Sequence, residues 1–107
     1  NLNNMRDIAN DKNSQKYTLV VYLGSQKGKY YHYLLMILGA LFLLFGMGMA
    51  FVNEYPFSLM IMLPIFLHLY QVAKIREPKD YDPLLKQLAL STFFVSLTLF
   101  MIFYRYQ

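Results

Sequence analysis

One uninterrupted run of 23 residues, 30–52, contains no Lys, Arg, Asp or Glu. As an α-helix it is about 34 Å long, which is enough to cross the roughly 30 Å hydrocarbon core of a bilayer. Inside a bilayer the backbone must satisfy its own hydrogen bonds, and a helix does so within one segment. We therefore predict that residues 30–52 form a transmembrane helix and that the fold is built from helices.

Two further apolar segments follow, at 55–73 and 84–104. Pro64 lies in the middle of the first and is expected to kink it, because proline removes a backbone donor and crowds the preceding turn. Only 15% of the residues are charged, against about 25% in an average soluble domain. The sequence predicts an all-α membrane protein with three transmembrane helices.

The remaining segments are polar connections. Residues 1–29 precede the first span, and residues 74–83 form a charged loop that contains two prolines. The β-branched stretch 18–24 is too short to cross a bilayer. A strand and a short surface helix are both possible there, and we favour a loop that lies over the membrane end. A turn is expected at 25–29.

The basic residues indicate the orientation of the chain. Nine of the ten Lys and Arg residues lie before the first span or between the second and third, and only Arg105 lies at the other side. Basic residues concentrate on the cytoplasmic side of membrane proteins. The sequence therefore predicts a multi-pass protein of the cytoplasmic (inner) membrane, with residues 1–29 in the cytoplasm and the C-terminus outside.

Three oxygen-bearing side chains recur at steps of four near the start of the chain: Asn3, Asp7 and Asp11. On a helix over residues 1–12, a step of four keeps side chains on one face, about 6 Å apart along the axis. Carboxylate and amide oxygens suit Mg²⁺, which proteins usually hold with one or two carboxylates together with substrate phosphates. The spacing indicates a candidate Mg²⁺ site.

Three cations lie beside these carboxylates: Arg6, Lys12 and Lys16. They are candidates for neutralising phosphate groups. The alternative is a solvated helix end with charge pairs, whose cations anchor the chain at the cytoplasmic face. From the residues alone both interpretations stay open.

The other polar side chains give weaker signals. His32 is expected at the membrane interface. For His68 we favour a hydrogen bond between helices over a metal site, since the chain has only two His, 36 residues apart. Without Cys, a disulfide or a thiolate metal site is impossible. No nucleophile–base pair is visible, so we assign no catalytic residue.

Two blocks of sequence resemble a known family. Residues 3–12 read N-N-M-R-D-I-A-N-D-K and residues 16–24 read K-Y-T-L-V-V-Y-L-G. Together they resemble the second aspartate-rich motif of the UbiA superfamily of membrane prenyltransferases, most closely the branch that prenylates 1,4-dihydroxy-2-naphthoate in menaquinone biosynthesis. The run D-P-L-L-K-Q at 82–87 is similar to the N-P-x-L-K sequence of that family.

The resemblance implies a bundle of nine helices with two aspartate-rich motifs facing each other at its cytoplasmic end. The motifs hold Mg²⁺, which binds the diphosphate of a polyprenyl donor, and an aromatic acceptor attacks the allylic carbon. By this resemblance Asp7, Asp11 and Asn3 bind the metal, and the diphosphate is bound by Arg6, Lys12 and Lys16. The chain then corresponds to the C-terminal third of the bundle, and it is expected to be inactive alone because the first motif is missing.

Two residues depart from the family pattern. Tyr17 and Tyr22 stand where the family usually has basic residues. The site is therefore expected to carry fewer positive charges than is usual in the family. The alternative function is that of a small non-catalytic membrane protein whose basic cytoplasmic loops bind anionic lipid or a protein partner. Neither interpretation involves nucleic acid.

Overall fold

Helices form almost all of the part of the chain that the structure, a computed structural model, describes: residues 1–54 and 56–104. No strand occurs in these two ranges, so the predicted all-α class is confirmed. The order along the chain is α1 Leu2–Arg6, α2 Ile8–Asn13, α3 Leu19–Leu23, α4 Ser25–Glu54, a first 3₁₀ helix Pro56–Met62, α5 Leu63–Lys74, a second 3₁₀ helix Pro78–Tyr81, and α6 Asp82–Tyr104.

Two stretches are long and apolar enough to cross a membrane, Ser25–Gly48 and Pro78–Met101. Only 11% and 6% of their most apolar windows are buried inside the protein. A helix in the core of a soluble domain buries its apolar residues, so these faces need lipid or further protein around them. Both stretches fit a membrane protein.

The predicted middle span, 55–73, is divided in the structure. A 3₁₀ helix precedes α5, and Pro64 lies in the first turn of α5. Proline is tolerated in a first turn because its missing N–H has no partner there, so Pro64 begins the helix instead of kinking its middle as predicted. The apolar helical stretch at this place, Ser58–Lys74, is shorter than the two spans, and three transmembrane helices remain a prediction. Tyr55, the predicted start of this span, lies outside the described residues, as does the C-terminal end, 105–107, which was predicted to lie outside the cell.

The first long helix begins at Ser25 and not at Tyr30, so the turn predicted at 25–29 was wrong. Gly28 lies where α4 packs against α3: a Cβ atom there would lie 3.0 Å from Cγ1 of Val20, so any side chain at this position would crowd Val20. Further along, α4 is interrupted at Gly48, which has φ 71° and ψ 154°. Glycine adopts such a conformation without the steric cost that other residues pay.

The stretch 18–24 forms the short helix α3, so the loop that we favoured there was wrong. The Thr18 hydroxyl accepts a hydrogen bond from the Val21 N–H at 3.3 Å, which is the usual arrangement of a helix N-cap. Gly24 ends the helix with φ 81°. Capping at both ends stabilises a helix that its β-branched residues alone would not favour.

The predicted helix over residues 1–12 is broken at Asp7, which has φ −93° and ψ 9°. The backbone N–H of Asp7 nevertheless donates to the carbonyl of Asn3 at 3.0 Å, and that of Asp11 to the carbonyl of Asp7 at 2.8 Å. Helical spacing therefore continues through the bend.

The core lies at one end of the long helices. The predicted charged loop is shortened there by the second 3₁₀ helix, and α6 begins at Asp82, two residues earlier than expected. The buried cluster joins α1, α3, α5, the second 3₁₀ helix and the start of α6 through Leu2, Met5, Val20, Val72, Tyr81 and Leu84. It docks the polar N-terminal segment onto the ends of the long helices and so fixes the position of the candidate site.

Candidate metal–diphosphate site

Arg6, the last residue of α1, joins the aspartate-rich segment to the start of α6. Its Nε lies 2.7 Å from Oδ1 of Asp7, and its Nη2 lies 2.8 Å from Oδ2 of the same carboxylate. Its Nη1 donates to Oδ1 of Asp82 at 2.9 Å. One guanidinium thus holds the carboxylate of its chain neighbour Asp7 and that of Asp82, which lies 76 positions further along the chain.

These contacts fix the charge of the three groups. The hydrogen bond from Arg6 holds the pKa of Asp7 below its ordinary value, and Lys16 adds a weaker electrostatic contribution in the same direction. Asp7 and Asp82 in turn raise the pKa of Arg6. At neutral pH Asp7 is therefore an anion and Arg6 a cation.

Asp11 is buried, with 3% of its surface exposed. Its Oδ1 accepts a hydrogen bond from Nζ of Lys16 at 3.1 Å, while its Oδ2 is buried and has no hydrogen-bond partner within the described ranges. A buried carboxylate oxygen without a donor is costly unless a cation or a donor from a ligand compensates it. This oxygen is the strongest local indication of a metal ligand.

The structure brings four of the six predicted site residues into two ion pairs, Arg6 with Asp7 and Lys16 with Asp11. Asn3 and Lys12 are exposed. For neither does the structure give a side-chain hydrogen bond or ion pair within residues 1–54 and 56–104. In the same part of the chain no group of three His, Cys, Asp or Glu side chains gathers as a metal site, so any cation here would have two carboxylates at most and need ligands from its substrate.

Asp82 belongs to this arrangement but was not among the site residues predicted from the sequence. The signal was present, because Asp82 opens the run D-P-L-L-K-Q that resembles a family sequence, and the family has Asn at that place. Tyr17 and Tyr22, which replace basic residues, are 84% and 86% exposed. Both side chains are therefore free to contact a bound molecule, but they bring no charge to it.

The two histidines form a contact of their own, away from the aspartates. Nε2 of His32 lies 3.0 Å from Nε2 of His68, and both residues are buried. The hydrogen bond between helices that we predicted for His68 is confirmed, and its partner is His32 in α4. His32 is therefore buried against α5, and its place at the membrane interface stays a prediction.

Comparison with known proteins identifies one relative. The chain is 30% identical over 99 residues to a 1,4-dihydroxy-2-naphthoate octaprenyltransferase from Haemophilus influenzae. No family model matches the sequence, and no solved structure matches it at a significant level. The resemblance to UbiA-type prenyltransferases indicated by the two sequence blocks is confirmed.

The match covers 91% of this chain but 32% of the relative, so the chain spans about a third of the length of the curated protein that it matches. The relative's length leaves room for the further helices and the first aspartate-rich motif that the resemblance implies. The chain is similar to one part of such a protein.

Proposed function

We propose that this chain is part of an integral membrane prenyltransferase that transfers a polyprenyl chain from its diphosphate to an aromatic acceptor, 1,4-dihydroxy-2-naphthoate in menaquinone biosynthesis. The observation that carries the proposal is the similarity to a 1,4-dihydroxy-2-naphthoate octaprenyltransferase along almost the whole chain. The arrangement around Arg6 and Asp11 supports it, because it joins anionic metal ligands to phosphate-binding cations at one end of the long helices.

Magnesium fits the residues present. Asp11 offers the buried, unpartnered oxygen Oδ2. Asp7 uses both of its oxygens toward Arg6, yet each carboxylate oxygen can accept more than one bond. Asn3 is exposed and its amide oxygen is available. When bound, Mg²⁺ would stabilise negative charge on the departing diphosphate.

The charges of the site also favour a metal. Arg6, Lys12 and Lys16 are balanced by Asp7, Asp11 and Asp82, so the protein groups alone sum to no net charge. A diphosphate carries several negative charges and would meet little attraction there. A divalent cation held by the carboxylates supplies the missing positive charge.

The role of Arg6 is to bind and orient the diphosphate. A guanidinium has five N–H donors, and Arg6 uses three of them on Asp7 and Asp82. Two donors remain for phosphate oxygens while the link to Asp7 is kept. Donors fixed by such a link are already in place when the allylic C–O bond breaks and negative charge develops on the leaving group.

The acceptor site and the prenyl cavity need more protein than this chain contains, because the motif that would face Asp7 and Asp11 is absent from its sequence. That the 107-residue chain has no transferase activity alone stays a prediction. Radiolabelled prenyl transfer by the purified chain, above the level of an Asp7→Asn variant, would contradict it.

The test of the proposed function uses the full-length enzyme that contains this chain. Asp7→Ala and Asp11→Ala should each reduce prenyl transfer to near background while the protein is still expressed and inserted. Asp80→Ala is the matched control, because Asp80 is an exposed carboxylate in the second 3₁₀ helix and should retain most of the activity. Near-normal turnover of both site variants would refute the metal assignment. If the protein is instead a non-catalytic membrane protein, neither the unmodified protein nor any variant should transfer a prenyl chain.

A further inference from the structure

A groove of about 630 Å³ runs along α6 beside the first 3₁₀ helix and the start of α5. On α6 its lining extends from Pro83 to Thr98, a distance of about 22 Å along the helix. The volume lies in the range of small-molecule sites, roughly 300–1,000 Å³. The groove is large enough for one extended hydrocarbon chain.

The walls of the groove are mostly apolar, although the buried hydroxyl of Ser58 has no hydrogen-bond partner within the described ranges. Met60, Ile61, Leu90 and Phe94 contribute apolar surface. The hydroxyl of Thr98 donates to the carbonyl of Phe94 at 2.8 Å, so it is already bonded to its own helix. Such a lining binds hydrocarbon better than a polar molecule.

Lys86 is the one charged residue in the lining, and it lies near the beginning of α6. It is exposed, and the structure records no ion pair for it within residues 1–54 and 56–104. From Lys86 to Thr98 the helix rises about 18 Å, close to the roughly 15 Å that half of the hydrocarbon core measures. The cation therefore stands at the depth of a headgroup when the rest of the groove lies within one leaflet.

We propose that this groove binds one anionic phospholipid, with its phosphate at Lys86 and an acyl chain along α6 toward Thr98. One lysine matches the single negative charge of a phosphodiester, whereas a diphosphate is more highly charged. Arg6, Lys12 and Lys16, the cations of the candidate diphosphate site, do not line the groove. The proposed phosphate site at Lys86 thus uses a different cation from the candidate diphosphate site, and the proposal does not depend on prenyl transfer.

Fluorescence quenching by brominated lipids tests the proposal, because the chain contains no Trp. Phe94→Trp places a reporter in the groove, and Phe93→Trp is a matched control, since Phe93 adjoins it but is not part of the lining. The two side chains are 60% and 59% exposed, so general contact with lipid is similar. The protein is placed in phosphatidylcholine bilayers that contain a minor amount of brominated phosphatidylglycerol or brominated phosphatidylcholine.

We expect the Phe94→Trp reporter to prefer phosphatidylglycerol over phosphatidylcholine by about fivefold in relative association constant, the effect of one cation near an anionic headgroup. The Phe93→Trp reporter should show no preference. Lys86→Gln in the Phe94→Trp background should remove the preference. Lys27→Gln, which changes an exposed lysine outside the groove, should leave it intact.

Four results would overturn the proposal. The first is an equal lipid preference at both reporters, and the second is a preference at Phe94→Trp that survives Lys86→Gln. The third is displacement of brominated phosphatidylglycerol by farnesyl diphosphate but not by ordinary phosphatidylglycerol. The fourth is that no lipid quenches the fluorescence of Phe94→Trp. The third would assign the groove to a prenyl donor, and the fourth would mean that lipid does not enter the groove. If Phe94→Trp is not monodisperse and helical, Leu90→Trp gives a second reporter in the same lining.

Discussion

The side chains of His32 and His68 meet through their Nε2 atoms, 3.0 Å apart, with ring planes 69° from parallel. The contact joins α4 to α5 inside segments that are otherwise apolar. At this distance one imidazole donates and the other accepts, so the pair shares one proton between the two nitrogens. It is a specific polar link between the two helices.

This link predicts non-additive stability. His32→Phe or His68→Phe alone should destabilise the protein by about 1 kcal/mol, because each leaves a buried imidazole without its partner. The double variant should cost less than the sum of the two, since two apolar rings leave no polar group unpaired. Reversible unfolding in mixed detergent micelles measures the four forms, and strictly additive losses would show that the two rings do not interact.

The Arg6–Asp7 pair predicts a loss of stability in acid. Because Arg6 lowers the pKa of Asp7 from its ordinary 3.8, the folded state binds this proton less readily than the unfolded state. The contribution of the pair is therefore complete above about pH 4 and is lost as the pH falls through the lowered value. In pH-dependent unfolding the native protein should approach the Asp7→Asn variant below pH 4. A constant difference between them, or one that widens in acid, would contradict this, and Asp80→Asn serves as the control.

The contact between Arg6 and Asp82 predicts a variant with improved substrate binding, if the proposed function holds. Asp82→Asn removes one negative charge from the site and weakens the hold on Nη1 of Arg6, because an amide oxygen still accepts its hydrogen bond but carries no charge. In the full-length enzyme the KM for the prenyl diphosphate should fall roughly two- to fivefold, the size of an exposed charge interaction, with little change in kcat. Asp80→Asn should leave KM unchanged, and a KM that rises in Asp82→Asn would show that the carboxylate assists binding.

Gly28 and Gly39 predict opposite responses to the same substitution. Alanine favours a helix over glycine by about 1 kcal/mol, and Gly39 has open space where a Cβ would stand. Gly39→Ala should be neutral or stabilising. At Gly28 the new methyl group meets Val20 at 3.0 Å, so crowding should cancel the gain or reverse it. Thermal unfolding of the two variants compares them directly, and an equal gain at both positions would refute close packing of α3 on α4.

Several features follow directly from residue order. The long uncharged run predicted α4, and the apolar segment after Pro83 predicted α6. A continuous run of apolar residues is enough to predict a helix of this kind. The spacing of four residues predicted that Asp7 and Asp11 lie one helical turn apart. The hydrogen bond from the backbone N–H of Asp11 to the carbonyl of Asp7 agrees with that prediction. The family motif could be recognised from the same few residues, since a site built on one local segment leaves its pattern in the sequence.

The ends of helices, and the points at which one helix is divided into two, were harder to predict. They depend on capping side chains and on the residues that pack against the helix. The side chain of Thr18 starts α3, and the missing side chain of Gly28 lets α4 begin early against Val20. Pro64 has the same sequence signature whether it kinks a helix or begins one, and only the 3₁₀ helix before it distinguishes the two.

The sequence by itself determined an all-helical chain with apolar spans and an aspartate-rich segment that resembles a prenyltransferase motif, since hydropathy and short-range spacing are properties of consecutive residues. Only the tertiary structure decided that Asp82 shares Arg6 with Asp7, that Asp11 is buried with one oxygen unpartnered, and that His32 pairs with His68. These relationships join residues far apart in the chain. They arise because the buried cluster around Met5 and Val72 docks the N-terminal helices onto the ends of the long helices. Contacts between segments that are far apart in the chain produce no repeating pattern in the sequence from which they could be predicted.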